Sequence, residues 1–330
     1  MENRKMLTLG LLLMVLVVSA CQETESGVTA TPFESPLDSA QALESPVEVP
    51  EASLPQFQGK IAFHSKREGN LQIYLLDGDA LTLERLTTDP FGAFEPSWSP
   101  DCGSIAFSSG RDSKDSFEIY SMRSDGSDQK RLFKHQPEDD WAPAWSPDGN
   151  VIAYQTNPGG RFNICFVSVE GEKLGCLEEG ANNASPHWSP DGERIVFTSN
   201  RDGDWDIYVA DWQEPSEVVK LTDNDFVEKY PQFSPDGSYV AFASERDDNF
   251  DIFVMRADGT EETRLTDHSA DDVSPRWVGD DKLVFASQRS LVDGFPDWDI
   301  YLMDRDGANI VQLTDVAGLD KWPVWCGVSE

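Results

Sequence analysis

The chain has 330 residues, with 60 Asp and Glu against 26 Lys and Arg, which gives a formal net charge of -34 at pH 7. This balance argues against a nucleic-acid partner, because phosphate binding requires a basic surface. The acidic surface alone does not indicate a cationic partner, since net charge mainly affects solubility and association kinetics.

The N-terminus has the pattern of an export signal. Arg4 and Lys5 precede an apolar run at residues 6–18, which is shorter than the roughly 20 residues that span a bilayer and typical of a signal-peptide core. Val18-Ser19-Ala20-Cys21 follows and resembles a bacterial lipobox. We predict a signal peptide at 1–20 and lipidation of Cys21, on the cell membrane or on the outer membrane facing the periplasm. The alternative is an ordinary signal peptide in which Cys21 has no role.

The segment after Cys21 is acidic and rich in proline. Residues 22–58 contain five prolines and seven carboxylates but no Lys or Arg. Such a composition buries too little apolar surface to offset the entropy lost on ordering. We therefore predict a disordered tether at 21–58 and a folded domain at 59–330.

One unit recurs six times in the rest of the chain. Each copy is anchored by an aromatic residue, and the copies are 43 to 48 residues apart. A period of this length, built from short β patterns, is typical of propeller blades. The anchors are Trp98, Trp145, Trp188, Phe233, Trp277 and Trp325.

Four short strand patterns follow one another in each unit, as the third copy illustrates. Residues 186–188 form the first, and the turn Ser189-Pro190-Asp191-Gly192 leads to a second at 194–198, because Pro presets φ and Gly tolerates a positive φ. A third strand is predicted at 205–209 and a fourth at 220–222. We label them A to D, with A innermost. Strands C and D of other copies are joined by dipeptides that favour tight hairpins: Asp125-Gly126, Glu170-Gly171, Asp258-Gly259 and Asp306-Gly307.

The order PxWSPDG, IAF, SxR, DIY and RLT resembles the PD40 repeat of TolB-like, WD40-like β-propellers, over residues 60–330. The resemblance implies an all-β fold, a six-bladed β-propeller of four-stranded antiparallel blades. The copies are imperfect, since Cys102 interrupts the first turn and Phe233 replaces Trp. The repeat begins on an isolated strand B at 61–63 and ends on an isolated strand A at 323–325. We expect these two strands to pair and close the ring.

Four cysteines remain after Cys21, an even number that suits an oxidising compartment. Cys165 and Cys176 lie symmetrically about the turn between strands C and D, so we expect a disulfide across these strands, with free core thiols as the alternative. Cys102 and Cys326 follow strand A of neighbouring blades, where a disulfide would lock the ring closure.

The sequence carries no recognisable catalytic motif, since GxSxG, HExxH, GxGxxG and the P-loop are absent. Oligogalacturonate lyases are similar propellers that use clustered His ligands, but here only His187 of four histidines lies on an inner strand. Residues 202–206 have the opening spacing of a calcium loop, yet Ile207 and Gln213 stand where Gly and Glu are needed. We predict no catalytic residue, no metal and no cofactor.

A Ser-x-Arg triplet follows strand B in five units, and an acid opens strand C in four. One unit lacks both, having Asn157 and Asn163. This paired loss predicts a buried or half-buried ion pair between the arginine and the acid, which holds the B–C loop. The first unit, with Arg67 but Gln72, does not follow this rule. The arginines are Arg67, Arg111, Arg201, Arg246 and Arg289, and the acids are Glu118, Asp206, Asp251 and Asp299.

Ligands of propellers usually meet the face formed by the D–A and B–C loops. The D–A loops here mix aromatic and charged residues, which can stack on a sugar or anchor a partner side chain. The alternative is that these rings only pack beneath their own loops. The predicted ligand-binding rim is Phe94, Glu95, Trp141, Tyr230 and Trp322.

A second candidate is the strand-A position between Pro and the anchoring aromatic. His187, Gln232 and Arg276 are its most polar consecutive members, and they are channel candidates if this row faces the channel. The sequence leaves open whether the row faces the channel or the next blade.

These features favour a non-enzymatic, monomeric lipoprotein whose propeller binds an envelope protein or a peptide, as the resemblance to TolB-like proteins implies. A carbohydrate-binding lipoprotein, or a divergent polysaccharide-active enzyme that uses the channel, is the alternative. A third hypothesis is a spacer or sensor ectodomain. A cluster of His, Arg and carboxylate in the channel would favour the second hypothesis, and a shallow aromatic rim the first.

Overall fold

The computed structural model describes residues 47–48, 57–112, 116–133, 139–177, 180–292 and 294–327. The predicted signal peptide, Cys21 and most of the predicted tether lie outside these residues. No helix in the described part of the chain is long and apolar enough to cross a membrane.

Six antiparallel sheets form the blades of a ring, and each sheet runs from an inner strand A to an outer strand D. Blade 1 contains β1 (Val47–Glu48), β2 (Lys60–Ser65), β3 (Gln72–Asp77), β4 (Thr82–Arg85) and β25 (Lys321–Cys326). Blade 2 contains β5 (Ala93–Trp98), β6 (Ser104–Ser109), β7 (Glu118–Arg123) and β8 (Lys130–Arg131). Blade 3 contains β9 (Asp140–Trp145), β10 (Val151–Thr156), β11 (Asn163–Ser168) and β12 (Lys173–Cys176), with a 3-10 turn at Pro158–Gly160.

The other three blades repeat this arrangement. Blade 4 contains β13 (Asn183–Trp188), β14 (Arg194–Ser199), β15 (Asp206–Asp211) and β16 (Val218–Lys220). Blade 5 contains β17 (Val227–Phe233), β18 (Tyr239–Arg246), β19 (Asn249–Arg256) and β20 (Thr263–Arg264). Blade 6 contains β21 (Asp272–Val278), β22 (Lys282–Val292), β23 (Phe295–Asp304) and β24 (Val311–Gln312).

The ring closes by pairing the two ends of the repeat region. In blade 1, Ile61 is opposite Trp325 and Ala62 is opposite Val324 in an antiparallel register. The inner strands then contact one another in the order β25, β5, β9, β13, β17, β21 and back to β25. The predicted six blades and the predicted closure are both confirmed.

The anchoring tryptophans connect neighbouring blades. The indole Nε1 of Trp98 donates to the Val324 carbonyl at 3.1 Å, and Trp188 Nε1 donates to the Ala144 carbonyl at 2.9 Å. In both pairs the acceptor lies on the inner strand of the preceding blade. A buried indole needs such a partner, which gives the recurring Trp a structural role.

The core lies between the blades. Strand B of most blades places an aromatic ring there that water does not reach, as with Phe63, Phe107, Phe197, Phe242 and Phe285. Because blades pack face to face, both faces of strands B and C are buried, which explains their nearly continuous apolar runs. One blade alone could not cover these faces.

The Ser-x-Arg arginine does form ion pairs, but the predicted partner is wrong. Arg289 pairs with Asp272 at the start of β21, and Arg67 pairs with Asp320 next to β25, both at 2.7 Å. Arg111 pairs with Asp89, which lies before β5, and Arg246 pairs with Glu262, which lies next to β20. The Arg67 Nε also donates to the Ser65 hydroxyl at 3.0 Å, which explains the triplet.

The acid of strand C instead faces strand D, where it meets a cation in three blades. Asp206 accepts from Lys220 at 2.9 Å, and Glu118 pairs with Arg131. The third pair joins Asp251 to Arg264 at 2.5 Å. Strands A and D lie on opposite sides of the hairpin formed by strands B and C. Only the strand pairing in the folded sheet shows which of these two strands each charge faces.

Two disulfide bonds join the cysteine pairs singled out above. Cys165 is directly opposite Cys176 across β11 and β12. Cys102 and Cys326, 224 positions apart, join the first turn of blade 2 to the last strand of blade 1. Cys102 adopts a positive φ of 56°, in the turn where other copies place Gly.

The sheet extends into the segment expected to be a tether. Val47 and Glu48 pair with Leu83 and Thr82 on the outer edge of blade 1, and Phe57 is buried in the core. The tether prediction for these three residues differs from the structure, because the open edge of β4 offers unpaired backbone groups to the passing chain.

Candidate binding site at the channel mouth

Each inner strand carries a bulge immediately before its proline. The residue at this position has a φ between 49° and 58° in all six copies, and the strand register shifts beside it. A bulge re-aims the side chains around it, here at the end of the ring where the D–A and B–C loops lie. The bulge residues are Glu95, Ala142, Ser185, Tyr230, Ser274 and Trp322.

Two bulge side chains from blades that are not neighbours contact each other across the ring. The rings of Tyr230 in blade 5 and Trp322 in blade 1 lie 5.2 Å apart although blade 6 separates their strands. The His64 ring lies 5.3 Å from the Trp322 ring, and its Nδ1 accepts from the Glu95 amide at 3.2 Å. Three predicted rim residues therefore meet inside the channel opening.

Glu95 and Arg276 are the charged groups of this interior. Burial raises the pKa of the Glu95 carboxyl to about 7, and hydrogen bonds from the Ala142 amide and the Ser108 hydroxyl oppose this rise together with Arg276. Burial lowers the pKa of Arg276 to about 10, which attraction to Tyr230 and Glu95 opposes. The two groups come from blades 2 and 6, and both remain partly exposed to the channel.

The three polar residues between the proline and the anchoring aromatic of strand A differ in what they contact. The Gln232 Oε1 accepts from the Trp277 amide of the next blade at 2.7 Å, and its Nε2 lies 3.0 Å from His187 Nε2. Since this contact fixes the amide orientation, Gln232 donates to His187, whose proton then sits on Nδ1. Burial and Arg276 lower the pKa of His187 to about 3. His187 and Gln232 thus link blades, while Arg276 approaches the channel groups.

A second row, one position before the bulge, surrounds the opening. Phe94 packs edge-to-face on Phe117 at 4.9 Å, and Trp141 packs on Phe162 at 5.7 Å. Both predicted rim rings therefore rest against their own B–C loops, and both stay partly exposed.

Two lysines hold the same position in blades 5 and 1. Lys229 lies over the Phe250 ring at 4.8 Å and Lys321 over the Trp298 ring at 3.5 Å. The rings under this row share one repeat position, which is aromatic in five copies and Leu71 in the first, a column that alignment of the repeats would have revealed. We call the opening the channel mouth; its residues are Phe94, Trp141, Lys229, Tyr230, Lys321 and Trp322.

No group of three or more His, Cys, Asp or Glu side chains is placed to hold a metal ion in the part of the chain that the structure describes. His64 and His187, the two histidines nearest the channel, bond to a backbone amide and to Gln232.

The fold and this opening define a class, the six-bladed β-propeller with an aromatic and charged channel mouth. Residues 132–228 and 215–326 match the PD40 family, described as the TolB beta propeller domain. The chain belongs to this family.

Known structures share the fold. TolB from Acinetobacter baumannii superposes with a TM-score of 0.69 at 21% identity, over 82% of this chain and 67% of that chain. A candidate TolB from Agrobacterium tumefaciens gives 0.65 at 24% identity, over 81% and 92%. An uncharacterized protein of Agrobacterium fabrum is 31% identical over 132 residues, which span 40% of this chain and 42% of that relative.

Proposed function

We propose that this chain is a non-enzymatic, monomeric lipoprotein outside the cytoplasm, whose propeller binds a segment of another envelope protein at the channel mouth. The observation that carries the proposal is the convergence of Glu95, Tyr230 and Trp322 from three blades on one opening. Aromatic anchors beside charged groups at the centre of a concave surface are typical of binding hot spots. Membership of the TolB propeller family supports an envelope role.

A glycan is the second candidate ligand. Glu95 and Arg276 lie in the channel near Tyr230, whose ring meets the Trp322 ring edge-to-face, and such groups also bind sugar hydroxyls and sugar rings. The hairpin of β22 and β23 favours the protein partner, because Leu291 and Phe295 near its tip are 66% and 74% exposed. Exposed apolar side chains match apolar protein surface better than they match sugars.

Site-specific crosslinking tests the location of the partner. A photoreactive amino acid at Trp141, in the channel mouth, is expected to capture one envelope protein in intact cells. The same amino acid at Val219, an outer-strand residue that is 57% exposed, is the control and should not capture it. Trp322→Ala should weaken the captured interaction by about 30-fold, the cost of losing a hot spot. Equal capture from both positions would contradict the proposal, and a retained glycan without a captured protein would favour the second candidate.

Cell fractionation tests the membrane anchor. The wild-type chain is expected in the membrane fraction, and Cys21→Ser should move it to the soluble extracytoplasmic fraction, because the thiol that carries the lipid is lost. Ser35→Ala, in the same predicted tether, is the control, since it keeps Cys21 and should leave the chain on the membrane. Retention of Cys21→Ser in the membrane would refute lipidation at this residue.

A further inference from the structure

Two lysines in the channel mouth have no carboxylate partner, although the chain is strongly acidic. Neither Lys229 nor Lys321 has a carboxylate oxygen within 4 Å among the described residues, whereas Arg67 and Arg289 each hold one at 2.7 Å. Both lysines hold the same repeat position, four residues before the anchoring aromatic of blades 5 and 1.

Burial makes these two charges costly. It lowers the pKa of Lys321 to about 8, with repulsion from Lys229 adding to the decrease and Asp271 opposing it. Burial likewise lowers the pKa of Lys229, against attraction from Glu245 and Asp271. The rings beneath the two ammonium groups attract them, but a ring face carries no net charge and does not replace a counter-ion. Both lysines are half-buried, and no carboxylate of the described residues lies within contact distance of either ammonium group.

We propose, on the basis of the function proposed above, that the channel mouth recognises a carboxylate next to apolar side chains in a segment of the partner protein. The carboxylate lies between Lys229 and Lys321 and supplies the missing counter-charge. The apolar side chains of the partner lie along the hairpin of β22 and β23. The base of this hairpin is next to Lys321, because the backbone amide of Asp320 donates a hydrogen bond to the Trp298 carbonyl at 2.7 Å.

Arg276 extends the positive region deeper into the channel. Its pKa responds to Tyr230 and Glu95, and no carboxylate oxygen of the described residues lies within 4 Å of its guanidinium. Glu95 faces it from blade 2 and, with a pKa of about 7, is only partly ionised at neutral pH. The lysines therefore form the main contact for the carboxylate, and Arg276 is a deeper contact.

The proposal is tested by selecting peptides that bind the full-length chain in detergent. The peptides come from a displayed library of random short sequences. The expected enrichment is for peptides with Asp or Glu beside Leu, Phe or Trp. Lys321→Gln and Lys229→Gln should each lower the affinity of a selected peptide about tenfold or more, because a charge-assisted bond is lost. Lys173→Gln, at an exposed site on β12, is the matched control and should leave affinity unchanged.

A double-mutant cycle between the chain and a selected peptide shows whether Lys321 contacts the peptide carboxylate or only affects the fold. Changing the peptide Asp to Asn should weaken binding to the wild type but have little further effect on Lys321→Gln, since both changes remove the same interaction. The thermal midpoint of Lys321→Gln should equal or exceed that of the wild type, because the substitution removes a half-buried charge that has no carboxylate within 4 Å among the described residues. Additive losses, or selected peptides without acids, would overturn the proposal.

Two controls separate this inference from the function on which it rests. If the binding of selected peptides requires Trp322 but tolerates both lysine substitutions, recognition of a carboxylate is refuted and the partner-binding function still stands. Binding of oligogalacturonate through Lys229 and Lys321, without any selected peptide, would assign the site to an acidic glycan and overturn both proposals. The absence of both peptide and glycan binding would also overturn both.

Discussion

Asp320→Ala is expected to destabilise the propeller by about 3–5 kcal/mol, because it leaves the Arg67 guanidinium buried without its partner. The two side chains are 0% and 8% exposed and 2.7 Å apart. Arg67 is held over the Tyr74 ring at 4.8 Å, which limits its escape to water. Urea unfolding followed by tryptophan fluorescence measures the change, and Asp280→Ala, at an exposed site, should change stability by less than about 0.5 kcal/mol.

The double variant shows whether the pair itself is responsible. Arg67→Met added to Asp320→Ala should cost less than the sum of the single changes, since no unpaired charge remains. Strict additivity would contradict this account.

The pH dependence provides a second check on Asp320. Burial raises the pKa of Asp320 above 3.8, and attraction to Arg67 only partly opposes the rise. The folded state therefore binds this proton at higher pH than the unfolded chain, and stability falls as pH rises from 3.8 through the raised pKa. Asp320→Asn should remove this component of the pH profile.

Loss of the Cys102–Cys326 disulfide is expected to cost about 5 kcal/mol, against about 3 kcal/mol for Cys165–Cys176, because the entropy of an unfolded loop grows with its length. The two bonds span 224 and 11 positions. The comparison uses Cys102→Ala with Cys326→Ala against Cys165→Ala with Cys176→Ala, measured by the midpoint of urea unfolding. The first pair should also lose amide exchange protection in β2 and β25, where the ring closes.

Reduction of the wild type is the control for these substitutions. A reducing agent should lower stability by more than either alanine pair alone. Equal costs for the two pairs, or a larger cost for Cys165–Cys176, would show that chain entropy does not govern the closure of this ring.

The blades were predictable because each depends on local, repeated signals. Trp188 and Gly192 mark a strand end and a turn within five residues, and variants of these signals recur in the other copies. Closure was also predictable, since the repeat region starts on an unpaired strand B and ends on an unpaired strand A. The pairing of Ile61 with Trp325 follows from that phase.

The charge pairs were less predictable. The presence of an arginine and an acid in the same repeat does not show which neighbouring strand each side chain faces. The Ser-x-Arg arginine and the acid of strand C are lost together in one unit, yet Arg289 reaches Asp272 of strand A and not Asp299 of strand C. Likewise, Tyr230 and Trp322 were expected on the rim formed by the D–A loops, and their rings meet across the ring beside bulges with a positive φ.

The sequence by itself determined the repeat, its six copies, the order of strands and the phase that closes the ring, because these depend on turn chemistry and alternation along the chain. The tertiary structure alone decided which side chains meet. Glu95, Tyr230 and Trp322 come from different blades and share one opening only because the ring brings six inner strands around a single axis. That Lys321 has no carboxylate within 4 Å among the described residues becomes visible only there, since its surroundings depend on the neighbouring blades.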